Sequence, residues 1–142
     1  MAVAAPPEPR AATAVVAGVL ALLGGLWFVA GVFMFGWVGL SQEPLLIPSQ
    51  VTDAFVGLVL LLGGTLLLAR TELGRALTLI GAVLGLVAPI VGTVLLHQRI
   101  YFVAGGPTGI EQLVLRRVVV ALPFVAILVL TLLPVTRRWT RN

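Results

Sequence analysis

Side chains able to do chemistry are scarce in this chain, and their positions say more than their number. One histidine, His97, stands beside Gln98 and Arg99. A haem-bearing subunit needs axial ligands such as paired histidines, so a single imidazole beside other polar residues reads as the polar end of a helix. There is no cysteine, which removes disulfide scaffolds, thiolate metal sites and thiol redox chemistry together. The carboxylates are Glu8, Glu43, Asp53, Glu72 and Glu111. None interrupts the middle of an apolar stretch, where a proton-coupled exporter is expected to hold one. The polar side chains inside those stretches are Thr65, Thr78, Thr93 and Thr131. Such threonines most often donate to their own backbone one turn back. The chain is therefore expected not to be an enzyme, to need no cofactor or metal, and to bind no nucleic acid.

The arginines are more suggestive. All nine basic residues are arginine. Arg116 and Arg117 fall about two turns into the last apolar helix, where they would suit an anionic lipid headgroup or a partner carboxylate. Two alternatives stand beside that reading: snorkelling into a headgroup layer, and pairing with Asp53 across two helix ends. Arg137, Arg138 and Arg141 read as a topology signal. A second pattern is steric. Gly74, Thr78, Gly81, Gly85, Ala88 and Gly92 recur at steps of four, three, four, three and four, which keeps them on one helix face. Small residues let helix backbones approach closely in lipid, so this face is expected to pack inside a bundle or against a partner. An earlier helix offers Gly18 with Gly25, and Gly24 with Gly31, each pair seven apart.

These residues must be positioned by very apolar elements. The chain has 142 residues, 60% hydrophobic and only 10% charged, with a mean hydropathy of +1.16. A soluble domain carries about 25% charged residues. Four uncharged stretches stand between charged or titratable markers: 11–42, 54–69, 76–96 and 118–136. A span needs about 20 apolar residues at 1.5 Å rise each. The second stretch, at 16 residues, reaches only about 24 Å unless Val51 and Thr52 extend it. The link 70–75 carries two arginines. A charge at the bilayer centre costs roughly 3 kcal/mol or more, so this link belongs at an interface, between two antiparallel helices.

Helices are expected at about 11–38, 52–69, 75–97 and 109–134. Thr108 and Glu111 form a capping box for the last of them, and Pro89 and Pro123 are expected to kink the third and fourth. Residues 1–10, with Pro6, Pro7 and Pro9, read as a disordered tail; 11–136 as the transmembrane domain; 137–142 as a basic tail. The segment 44–48 suggests a loop pressed into the interface or packed on its own helices. Gly18–Ala30 and Gly57–Ala69 share a Gly, then Leu-Leu-Gly-Gly, then Ala, at an offset of 39. Chance accounts for that in a chain so rich in Leu and Gly.

Four spans sort the charges. The tails and the 70–75 link hold six arginines against two glutamates, a net +4, while the other side is neutral. Loops enriched in arginine and lysine are cytoplasmic, so both termini are placed in the cytoplasm. The fold class expected is an all-α membrane protein, a compact antiparallel four-helix bundle. In its Ala, Val, Leu and Gly content and its use of Arg alone, the chain resembles small multi-pass proteins of GC-rich, actinobacterial type. In size and plainness it resembles the small subunits that pad respiratory and envelope complexes. That resemblance implies a non-catalytic accessory subunit or homo-oligomer in a bacterial plasma-membrane assembly, with membrane lipids and another protein as partners. The alternative is a small transporter or lipid-translocating protein with its site between protomers.

Overall fold

A computed structural model of the chain describes the backbone of residues 10–42, 47–97 and 110–140, and the side chains of 12–33, 50–88, 90–91 and 121–140. Five helices account for nearly all of it: α1 (Arg10–Gln42), α2 (Ile47–Leu68), α3 (Glu72–His97), α4 (Ile110–Leu132) and α5 (Pro134–Trp139). No strand occurs among the described residues. Two stretches, Ala12–Phe33 and Gln50–Leu68, are long and apolar enough to cross a membrane, and Ala121–Leu132 is a shorter apolar helix.

Local chemistry explains where the helix bounds depart from the apolar pattern. α2 begins at Ile47 rather than near residue 52. Pro48 is tolerated there because the first turn of a helix has no use for its missing N–H. α3 begins at Glu72 because Thr71 caps it, its Oγ1 accepting from the Gly74 N–H at 3.1 Å. The same Thr71 closes α2. Its N–H donates to the Leu66 carbonyl at 3.0 Å and the Arg70 N–H donates to Leu67 at 3.0 Å. This pair of bonds terminates a helix through one left-handed residue. That residue is Arg70, at φ 62°, so two helices reverse direction across three residues. Pro89 and Pro123 both sit within continuous helices. The Pro-rich segment 1–9, Thr108 and residues 43–46 lie outside the described residues.

The long helices pack in chain order, α1 on α2, α2 on α3, α3 on α4, with α4 returning to α1. Glycine sets two of these seams. A Cβ on Gly25 would stand 2.9 Å from the Gly57 carbonyl oxygen, and one on Gly57 would stand 3.1 Å from that of Gly25. Gly64 and Gly18 repeat the arrangement, with 2.9 Å and 3.4 Å. Partner numbers rise on α1 as they fall on α2, so the two run antiparallel. The four glycines are those that the 39-residue offset relates, so α1 and α2 meet through the same two positions of a shared pattern. On the other side of α2, a Cβ on Gly63 would stand 2.6 Å from the Thr78 nitrogen of α3. Gly74 presses still closer on the backbone of Leu66 and Leu67.

α4 has no glycine and packs differently. Phe124 and Ile127, 2% and 0% exposed, fill the space between it and the other helices. The Phe124 ring meets Phe28 of α1 edge-on, with centroids 5.6 Å apart at 72°. Ala21, Val56, Leu60 and Ala82 complete a central cluster drawn from all four long helices.

These contacts predict a ranked substitution series. Ala at Gly25 or Gly63 must displace backbone and should destabilise by about 1–3 kcal/mol, the usual cost of overpacking. Gly31, seven residues beyond Gly24, has nothing within 4 Å of the place an added methyl would take. Gly31→Ala should be neutral, or stabilising by up to about 1 kcal/mol through helix propensity. Thermal unfolding of the purified variants separates the two classes; equal losses at all three would remove the glycine seams.

Candidate functional site

Two places collect the residues singled out above: the small-residue face of α3, and the end of the bundle where the α2–α3 turn meets α5. The α3 face is built from a helix whose small residues look in two directions. Gly74, Thr78 and Gly81 lie against α2, Gly81 on the Leu60 side chain with a Cβ distance of 2.8 Å. Gly85 faces α4, where a Cβ would stand 2.6 Å from the Phe124 ring. The close approach expected there between two backbones is thus an approach of backbone to an aromatic ring. Ala88 is half-buried, while Gly92 is helical with its surroundings outside the described residues. From Gly74 to Gly85 this face is occupied by helices of the same chain. Val83, off the face, is 46% exposed.

Threonines on these helices are committed to the backbone. Thr65 Oγ1 donates to Leu61 and Leu62 carbonyls at 2.9 Å, Thr78 Oγ1 to Gly74 at 2.8 Å, and Thr131 Oγ1 to Ile127 at 2.6 Å. The side chains of Thr93, His97, Arg116 and Arg117 fall outside the described residues, although all four lie within α3 or α4. Asp53 is half-buried on α2, three residues from the Gln50 end of the second candidate span.

The second place follows from a proline. Pro134 has no N–H, so the Leu130 carbonyl one turn back loses its helical donor. Leu133 is extended at ψ 138°, as residues before proline prefer, and the chain turns into α5 against α1 and α4. Residues expected as a plain basic tail from 137 onward are therefore partly helical and folded onto the bundle. Two side chains serve the carbonyls left at the end of α4. Thr136 Oγ1 donates to Leu130 at 2.7 Å, and Arg75 Nε of α3 donates to Thr131 at 3.2 Å. A cation at a helix C-terminus also complements its partial negative charge. Arg70 lies with its guanidinium carbon 3.9 Å from the Trp139 ring centroid, a cation–π distance. Arg137 and Arg138 are exposed. The charge of the C-terminal arginines carries no sign of this folded end. Pro134 and Thr136 are the signals that could have pointed to a folded end.

Replacing Thr136, fully buried, by Val leaves the Leu130 carbonyl without its donor and should cost about 1–3 kcal/mol. Thr65→Val, at an exposed hydroxyl whose acceptors already serve the helix, should change stability by less than about 0.5 kcal/mol. Equal unfolding temperatures for the two variants would rule out this capping role. Comparison with protein-family models, with curated proteins and with solved structures finds no match to this chain, so what it does is read from its own geometry.

Proposed function

We propose that the chain is a multi-pass integral membrane protein with four spans, both termini cytoplasmic, acting as a small non-catalytic accessory or structural subunit, or as a homo-oligomer, in a bacterial plasma-membrane assembly. The observation that carries this is the distribution of side-chain size. Small residues, Ala14, Ala17, Ala21, Ala82 and the seam glycines, take up much of the buried space beside Val56, Leu60, Leu67, Phe124 and Ile127, while other large apolar residues point outward on every long helix. Trp27, Phe33, Phe55, Ile90 and Leu122 are 58–78% exposed. Water would leave so continuous an apolar surface unsatisfied; a soluble monomer's largest apolar patch is about 300–600 Å². Hydrocarbon favours it, and in hydrocarbon close packing of small residues is what holds helices together. At helical rise the uncharged part of α3, 76–96, reaches about 32 Å and that of α4, 118–132, about 22 Å, so the fourth crossing is the shorter of the two.

A transporter with a site between protomers is the second reading. Half-burial of Asp53 near one end of the second candidate span favours it, because a carboxylate partly removed from solvent there needs a partner or a task.

Single cysteines test the topology, since the native chain has none. Ser41→Cys and Gly105→Cys should react with an impermeant thiol reagent on intact cells. Glu72→Cys and Arg138→Cys, at exposed positions, should react only after permeabilisation. Labelling of position 72 from outside would overturn the four-span arrangement. Purification in gentle detergent followed by mass spectrometry separates the roles: a stoichiometric partner supports the subunit reading, and a pure homo-oligomer with solute flux in vesicles supports transport.

A further inference from the structure

The corner between the α2–α3 turn and α5 holds more hydrogen-bond donors than the fold uses. Of the four arginines with described side chains at this end, Arg75 donates to the Thr131 carbonyl. The guanidinium groups of Arg70, Arg137 and Arg138 donate to no acceptor among the described residues. The Trp139 indole N–H is also shielded, with no hydrogen-bond partner among the described residues. The nearby carboxylate, Glu72, is already engaged.

Arg70 is held with particular care. It occupies the left-handed position, φ 62°, that glycine takes most easily, at a cost of roughly 1–2 kcal/mol for any other residue. Its guanidinium lies over the Trp139 ring. A guanidinium carries five N–H donors, more than one ring contact engages. Arg137 and Arg138, on the two residues of α5 just before Trp139, are exposed. Leu73 and Leu132, 61% and 55% exposed, flank this corner with apolar surface, so it sits on the border between an apolar belt and a polar end.

We propose that Arg70, Arg137 and Arg138 form a binding site for the phosphate of an anionic phospholipid headgroup, with Trp139 orienting Arg70. The proposal rests on the membrane reading above. Planar N–H donors match phosphate oxygens in pairs, and the apolar flank accommodates acyl chains where a free phosphate would find no partner. The arrangement also goes beyond a topology signal. Retention of a loop on one side needs positive charge near the membrane, which lysine supplies equally, whereas a forked donor held over an aromatic ring is specific to arginine.

The test uses the full chain in nanodiscs of phosphatidylcholine alone or of an equal mixture of phosphatidylcholine and phosphatidylglycerol. Wild type should unfold at a higher temperature in the mixture and should retain phosphatidylglycerol in native mass spectrometry. Arg70→Lys, and the pair Arg137→Gln with Arg138→Gln, should remove most of the lipid-dependent rise. Retention should weaken about fivefold for each lost contact. Inorganic phosphate added to phosphatidylcholine nanodiscs should produce no rise; an equal rise there overturns the lipid as the source of the phosphate. A rise of the same size in wild type and variants overturns the site while leaving the membrane reading intact. Failure of the chain to enter nanodiscs at all overturns the membrane reading instead.

Discussion

Backbone-to-backbone approach along α2 governs the spacing of the bundle. Gly63 and Gly64 are neighbours in sequence, about 100° apart around the helix, so Gly63 meets α3 and Gly64 meets α1. Gly57, one face with Gly64, makes the second contact to α1. Where a side chain would begin, each of the α1–α2 pairs places a glycine hydrogen toward a carbonyl oxygen. Such Cα–H contacts recur at close helix interfaces and are worth about 0.5–1 kcal/mol each. The larger effect is indirect. Two flat backbones in contact bring every flanking side chain into van der Waals range, and dispersion sums over all of them.

The rest of the packing is a response to this spacing. With α1, α2 and α3 drawn together, a helix lacking glycine cannot join at the same distance. α4 closes the ring through Phe124 and Ile127 instead. One ring, Phe124, thus touches the backbone at Gly85, the Gly24 position at 3.9 Å and the edge of Phe28. Its size is matched to the absence of side chains opposite it.

Polar groups follow a second constraint, that a backbone carbonyl removed from its helix must find a donor. The two ends of that problem are both solved at the same end of the bundle. Thr71 closes α2 and opens α3 within one residue. Thr136 and Arg75 take over carbonyls that Pro134 leaves behind. In the proposed bilayer these bonds would matter more than in water, because no solvent stands ready to replace them. The donors left over at that end are arginine and tryptophan, the side chains suited to a headgroup layer.

That the chain is helical, roughly where its helices run, and which residues are too polar for the apolar stretches are legible in the residues, because hydropathy and charge are properties of residues taken one at a time. The sequence also marked the α3 face, since helical periodicity alone places Gly74, Thr78, Gly81 and Gly85 together. Thr78 and Thr131 bond their own helices as their chemistry requires. The partners of those faces were not legible. Gly18 with Gly25 and Gly24 with Gly31 carry the same seven-residue spacing, yet the first pair forms the α1–α2 seam while Gly31 faces open space. The basic tail likewise gave no local sign that Trp139 would lie under Arg70, sixty-nine positions earlier in the chain. Only the tertiary structure decided these, because a glycine records that something can come close and not which helix does; that choice is made by the shapes of all the helices together.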